Sequence, residues 1–135
     1  MKSRAALQTG HDSRLIVDEI EIPDPRPDQV IVKLHSTGVC HSQLHQIHSP
    51  ELERPLVMGH EATGVVTEVG EGVTHLKPGD KVAYLGSGTY ASHFTGPADR
   101  MLLLPDDIRP QDAAAVLLKG LTAWALLFEA RPLQA

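Results

Sequence analysis

The chain has 135 residues, which is the length of about one domain. Its 41% hydrophobic and 21% charged residues are typical of soluble globular proteins and exclude a disordered chain. The net charge of −5 and the scattered basic residues exclude a nucleic-acid surface. The longest apolar run, residues 113–118, is far shorter than the roughly 20 residues of a membrane helix. We therefore expect a cytoplasmic protein without a membrane partner.

Apolar and β-branched residues alternate over much of the chain and predict short strands. These strands fall at residues 15–22, 30–34, 65–69, 81–85, 90–95 and 100–104. Several short strands with turns between them favour a mainly β fold, a small and partly open barrel. From Pro110 onward β-branched residues are few, which predicts one C-terminal helix broken near Gly120, or two helices.

Residues 86–91 have the letters of a dinucleotide-binding loop, G-x-G-x-x-A, directly after a predicted strand. Such a loop binds pyrophosphate only when its end opens a helix whose amide groups face the phosphates. Gly96 and Pro97 leave no room for that helix. We interpret the segment as a glycine turn between barrel strands.

Cys40 is the one cysteine, so an internal disulfide is excluded. It begins a predicted short helix, where the dipole and free amides favour the thiolate, the form that binds zinc or attacks carbon. His41, His45 and His48 would share one face of that helix, which suits either a metal site or a solvated surface. His60 and Glu61 come just before a strand and add nitrogen and oxygen donors of the kinds that zinc accepts.

Residues 59–73 resemble the signature of zinc-type alcohol dehydrogenases in the medium-chain dehydrogenase/reductase superfamily. The matching positions are Gly59, His60, Glu61, Gly64, Gly70 and Val73. Residues 38–42 are similar to the first zinc-ligand segment of that family, and residues 77–82 to its next turn and strand. The resemblance spans about the whole chain and implies a GroES-like barrel over residues 1–135.

The resemblance implies that Cys40 and His60 bind a catalytic zinc ion, with Glu61 as an occasional or exchanging ligand. A zinc-bound alcohol forms the alkoxide near neutral pH, so that hydride can leave for a nicotinamide. Ser42 matches the hydroxyl that takes the alcohol proton, and His45 the imidazole that passes it to solvent. The expected substrates are small alcohols, aldehydes or ketones.

Three positions depart from the zinc-type pattern. The segment 84–94 has no cysteine, so the loop that holds a structural zinc in many relatives is absent. Leu118 stands where the third zinc ligand is usual, and Gln43 stands where an aspartate often orients the zinc histidine. Losing such an orienting partner typically costs about 10–100-fold in metal affinity. We therefore expect at most a weak zinc site.

Residues 90–94 and 117–123 look more like the zinc-free quinone reductases of the same superfamily. In those relatives, Lys119 and Thr122 would lie near the nicotinamide. The leading hypothesis is thus the catalytic domain of a zinc-type, NAD(P)-linked alcohol dehydrogenase. The alternatives are a zinc-free quinone or enone reductase domain and a stand-alone GroES-like binding module.

The resemblance also implies a Rossmann domain that binds NAD or NADP and that is absent from this sequence. We expect the isolated chain to bind neither dinucleotide and to be inactive, whether it is a fragment or an orphan domain. The sequence is compatible with a homo-oligomer and does not determine the oligomeric state.

Overall fold

Residues 1–130 are described by a computed structural model, in which they form eight strands, two α-helices and a short 3₁₀ helix. The strands are β1 (Lys2–Gln8), β2 (Ile16–Glu21), β3 (Gln29–Thr37), β4 (Leu56–Val57), β5 (Glu61–Val69), β6 (Lys81–Leu85), β7 (His93–Pro97) and β8 (Met101–Leu103). The helices are α1 (Ser42–His48), the 3₁₀ helix Ala98–Arg100, and α2 (Pro110–Trp124), which continues as π-helical turns over Ala125–Ala130. The domain predicted over 1–135 extends five residues, 131–135, beyond the described residues.

The strands form two antiparallel sheets that do not close on each other. One sheet has the order β2-β1-β4 and the other β7-β3-β5-β6-β8. The prediction of a mainly β, partly open barrel with a C-terminal helix is confirmed.

Strand β1 was not predicted from the sequence, because most of its inward side chains are small or polar. Ser3, Ala5 and Leu7 face the interior on alternate positions, but only Leu7 is a large apolar residue. The predicted break near Gly120 is wrong, since α2 runs through that residue. A single glycine costs a helix only about 1 kcal/mol relative to alanine, which packing readily offsets.

The core lies on the inner face of the larger sheet. Its buried apolar residues are Val30, Val32, Val66, Leu76, Val82, Tyr84, Ala98 and Met101. Val65, the first apolar residue of the predicted strand 65–69, is 37% exposed, and its neighbour Val66 is buried instead. Side chains alternate along a strand, so an assignment that is shifted by one residue reverses the face.

Because this core contains no candidate metal ligand, the fold should not depend on a metal. Treatment with EDTA is expected to leave the far-UV circular dichroism spectrum and the melting temperature nearly unchanged. Cooperative unfolding on addition of the chelator would contradict this expectation and would make a bound metal structural.

Helix α1 is held in place at its C-terminal end. The guanidinium of Arg54 donates to the carbonyl oxygens of Gln46 and Ser49, at 3.0 and 2.8 Å. The His48 ring contacts the carboxylate of Asp12, in the loop between β1 and β2. A helix this short has little intrinsic stability, so these contacts determine where its polar side chains lie.

The C-terminal helical segment exposes much of its apolar surface. Over Pro110–Ala130 the mean hydropathy of an 18-residue window is 1.5, and only 11% of that window is buried. By length and composition alone, this helix could cross a bilayer. The expected absence of a membrane partner stays a prediction.

Candidate active site

Glu61 opens strand β5 and has a completely buried side chain. Its backbone carbonyl accepts the Thr37 hydroxyl at 2.7 Å and the Gly38 N–H at 3.1 Å. A Cβ atom on Gly38 would lie 2.3 Å from Oε1 of Glu61, so only glycine leaves room for the carboxylate. The backbone of the β3 end therefore fixes this carboxylate in the interior.

Lys119 reaches this carboxylate from helix α2. Its Nζ lies 3.3 Å from Oε1 of Glu61, while the Lys119 side chain is 62% exposed. The second oxygen, Oε2, is buried and has no hydrogen-bond partner. The ion pair thus joins a buried anion to a cation that also faces solvent, and it leaves one carboxylate oxygen unpaired.

His60, the preceding residue, is bound by the side chain of Gln43 from α1. The Gln43 Nε2 atom lies 2.9 Å from His60 Nδ1 and also donates to Oε1 of Gln46 at 3.1 Å. The Tyr90 hydroxyl donates to Oε1 of Gln43 at 2.8 Å. Burial raises the pKa of Tyr90, so its hydroxyl stays protonated and remains a donor. His60 Nε2 is buried and has no partner.

Cys40 is half-buried and lies just before α1. The Ser42 hydroxyl donates to its Sγ at 3.3 Å. Hydrogen bonds from the side chain and backbone of Ser42 lower the pKa of the Cys40 thiol. They stabilise the thiolate, the form that acts as a ligand or a nucleophile.

The remaining predicted site residues lie apart from these contacts. His45 is exposed, and its ring stacks edge-on against His41 with the ring centroids 5.7 Å apart. Thr122 is also exposed and donates to the Leu118 carbonyl of its own helix at 2.9 Å. The predicted site residues thus lie in three separate contacts, Cys40 with Ser42, His60 with Gln43, and Glu61 with Lys119.

The glycine segment 86–91 connects β6 to β7. Gly88 has a φ of +91°, and the residues that follow form strand β7, not a helix. The amide cluster that a bound pyrophosphate needs at a helix N-terminus is missing from this loop. The segment is a glycine turn between strands, as interpreted from the sequence.

Residues 26–106 match the family described as the alcohol dehydrogenase GroES-like domain. The chain belongs to this family. S-(hydroxymethyl)glutathione dehydrogenase of Photobacterium damsela subsp. piscicida is 49% identical over 84 residues, which cover 61% of this chain and 23% of that protein. An alcohol dehydrogenase of Geobacillus stearothermophilus is 32% identical over 92% of this chain and 46% of its own length.

Among solved structures, Escherichia coli quinone oxidoreductase in complex with NADPH superposes with a TM-score of 0.88 at 30% identity. The match covers 99% of this chain and 42% of that one. The GroES-like domain thus spans less than half the length of these two longer matches. Its homologues are oxidoreductases of the medium-chain dehydrogenase/reductase superfamily, in agreement with the resemblance.

The residues of this GroES-like domain do not fit a three-ligand zinc site as they are arranged. Cys40, His60 and Glu61 have side chains of the kinds that zinc accepts, and Nε2 of His60 and Oε2 of Glu61 are buried without a partner. Within residues 1–130, however, no three Cys, His, Asp or Glu side chains form a group that could hold a metal ion. One Glu61 oxygen pairs with Lys119, and the His60 ring is bound by an amide donor.

Two side-chain contacts within the GroES-like domain were not predicted from its sequence. The ion pair between Glu61 and Lys119 joins residues 58 positions apart, and the contact between Tyr90 and Gln43 joins residues 47 apart. No local pattern marks such pairs. A lysine near the usual third-ligand position was visible, but its partner depends on how α2 packs against β5.

Proposed function

We propose that this domain forms the substrate-binding half of an NAD(P)-linked reductase that works without a resident zinc ion. The observation that carries the proposal is the ammonium group of Lys119, 3.3 Å from buried Glu61, in a site without a third metal ligand among the described residues. The substrate class is a small carbonyl compound, an enone or a quinone.

In this proposal a bound NAD(P)H would supply the hydride that reduces the electrophilic carbon, and the substrate oxygen would take up a proton. The Lys119 ammonium would lie near the developing negative charge on that oxygen and would stabilise it. Ser42 and His45 remain the proposed proton path, with Ser42 hydrogen-bonded to Cys40 and His45 exposed to solvent. Thr122 remains a proposed neighbour of the nicotinamide.

The dinucleotide itself requires a partner domain. The longer relatives and the exposed apolar side chains of the C-terminal helix, among them Trp124 and Phe128, support a dinucleotide-binding domain packed there. The glycine turn 86–91 offers no such site. The cytoplasmic location and any homo-oligomer stay predictions.

The second candidate is the zinc-type alcohol dehydrogenase, which would oxidise a small alcohol. Cys40, His60 and the 49% identity to S-(hydroxymethyl)glutathione dehydrogenase favour it. In this candidate Cys40, His60 and Glu61 would hold the ion, and zinc would supply the Lewis acid that makes the alkoxide accessible. Such a site would need a rearrangement that frees Glu61 from Lys119.

The two candidates differ in the zinc content of the full-length protein. We expect far less than one zinc ion per chain after purification without added metal, because two usable ligands make a weak site. Elemental analysis by mass spectrometry measures this, together with NADPH-dependent reduction of a quinone in buffer containing a chelator. One zinc per chain and loss of turnover on chelation would establish the zinc-type candidate instead.

Leu118→Cys is the matched variant for this assay. A thiol at the usual third-ligand position should tighten zinc binding by tens-fold or more if residue 118 faces the site, and Cys40→Ser should abolish the binding. Equal zinc affinity in the parent and in Leu118→Cys would mean that residue 118 does not face the metal position.

A further inference from the structure

The hydrogen bonds around Gln43 determine which nitrogen of His60 carries the proton. A neutral imidazole has one N–H donor and one acceptor nitrogen. The amide nitrogen of Gln43 can only donate, and it lies 2.9 Å from His60 Nδ1. Nδ1 is then the acceptor, and the proton of the neutral ring resides on Nε2.

The amide of Gln43 is itself oriented by two neighbours. Its oxygen accepts the Tyr90 hydroxyl at 2.8 Å, and its nitrogen donates to the side-chain oxygen of Gln46 at 3.1 Å. Gln43 is only 5% exposed, so water does not compete with these bonds. In this arrangement the amide nitrogen faces His60.

This arrangement is the reverse of what a metal-binding histidine requires. A ligating imidazole donates its second N–H to a carboxylate or carbonyl, which leaves a lone pair on the nitrogen that binds the metal. In this site the second nitrogen receives a hydrogen bond, and Nε2 has a proton where the lone pair would be needed. Nε2 is buried and, as a donor, has no acceptor within hydrogen-bond distance.

We infer that Gln43 is a positioning residue that holds His60 in the Nε2–H tautomer and so makes it a hydrogen-bond donor instead of a zinc ligand. The inference extends the proposed function, on which it rests, by naming the residue that selects against the metal. A carboxylate at position 43 could only accept a hydrogen bond, and it would move the proton to Nδ1 and free the lone pair on Nε2.

The tautomer can be read directly by nitrogen NMR. The full-length protein is labelled with ¹⁵N in its histidine rings, freed of metal with a chelator and measured at pH 8, with His60→Gln identifying the His60 signals. We expect a protonated Nε2 and an unprotonated Nδ1. A protonated Nδ1 in the parent protein would overturn the inference, and this measurement requires no variant at position 43.

Gln43→Glu, close in shape to the parent side chain, tests the cause. We expect its His60 signals to switch to the Nδ1–H pattern and its affinity for added Zn²⁺ to rise by about 10–100-fold. Tyr90→Phe tests the orientation of the amide, because it removes the hydroxyl that donates to Gln43, and it should give a mixture of tautomers. An unchanged tautomer or unchanged zinc affinity in folded Gln43→Glu would show that Gln43 does not exert this control.

These measurements are independent of the zinc content and turnover that test the proposed function. Zinc in the purified parent protein would contradict the proposed function, whereas the tautomer is measured on metal-free protein. The two hypotheses can therefore fail separately.

Discussion

Gly70→Ala should lower the free energy of unfolding by about 3 kcal/mol, at the upper end of the effects of overpacking. A Cβ atom at this position would lie 2.0 Å from the carbonyl oxygen of Arg26 and 2.7 Å from that of Pro27. Both oxygens already accept backbone hydrogen bonds, from Gln29 and Gly72 respectively, so the chain cannot move aside cheaply. Urea denaturation of the parent and the variant measures the difference.

Gly120→Ala is the control for this variant. Its Cβ would meet nothing within 4 Å, and alanine is the better helix former, so we expect a gain of up to about 1 kcal/mol. Equal urea midpoints for Gly70→Ala and the parent would contradict the close approach at Gly70.

Gly64, also in the signature, has the same constraint, with the Lys33 oxygen 2.4 Å from its Cβ position. These two glycines therefore serve backbone packing.

If the proposed function holds, Lys119→Met should reduce turnover of an enzyme that contains this domain by about 100-fold, the order of loss seen when one donor to a developing oxyanion is removed. The variant also leaves the buried Glu61 carboxylate without its cation. Breaking a fully buried pair costs about 3–5 kcal/mol, and the exposure of Lys119 to solvent reduces this to about 1–3 kcal/mol here. Steady-state kinetics and urea denaturation measure the two effects.

Lys119→Arg and the double variant Lys119→Met/Glu61→Gln separate charge from structure. The arginine variant should retain most of the stability, because it keeps a cation next to the carboxylate. The double variant should recover stability but not turnover, since it removes the unpaired anion without restoring the cation. Full turnover in Lys119→Met would rule out a role of this ammonium group in catalysis.

The side chains of the candidate site come from three parts of the fold. Glu61 is the first residue of β5 and His60 directly precedes it, α1 contributes Gln43, and α2 contributes Lys119. Each residue is positioned by an element whose placement depends on remote packing. The chemistry therefore depends on these three elements being held together, and the central core that supports them contains none of the site residues.

The larger sheet was predictable because its strands contain alternating large apolar residues. The hydrophobic effect forces those residues to one side, and their spacing marks both the strand and its buried face. Strand β1 was not predictable, because its buried side chains are mostly small or polar and give no apolar alternation. The exposed face of Val65 was not predictable either, because Val65 and Val66 are both apolar and the sequence does not show which of the two points inward. The turn at 86–91 was predictable because Gly96 and Pro97 forbid a helix.

The sequence by itself determined the fold family and the types of side chain at the site, since the signature residues are local and their chemistry belongs to each residue. Only the tertiary structure decided what those side chains do to one another. Lys119 pairs with Glu61 because α2 packs against β5, and Gln43 donates to His60 because α1 lies beside the start of that strand. Contacts between residues far apart in the chain depend on packing over the whole domain, which no short stretch of sequence encodes.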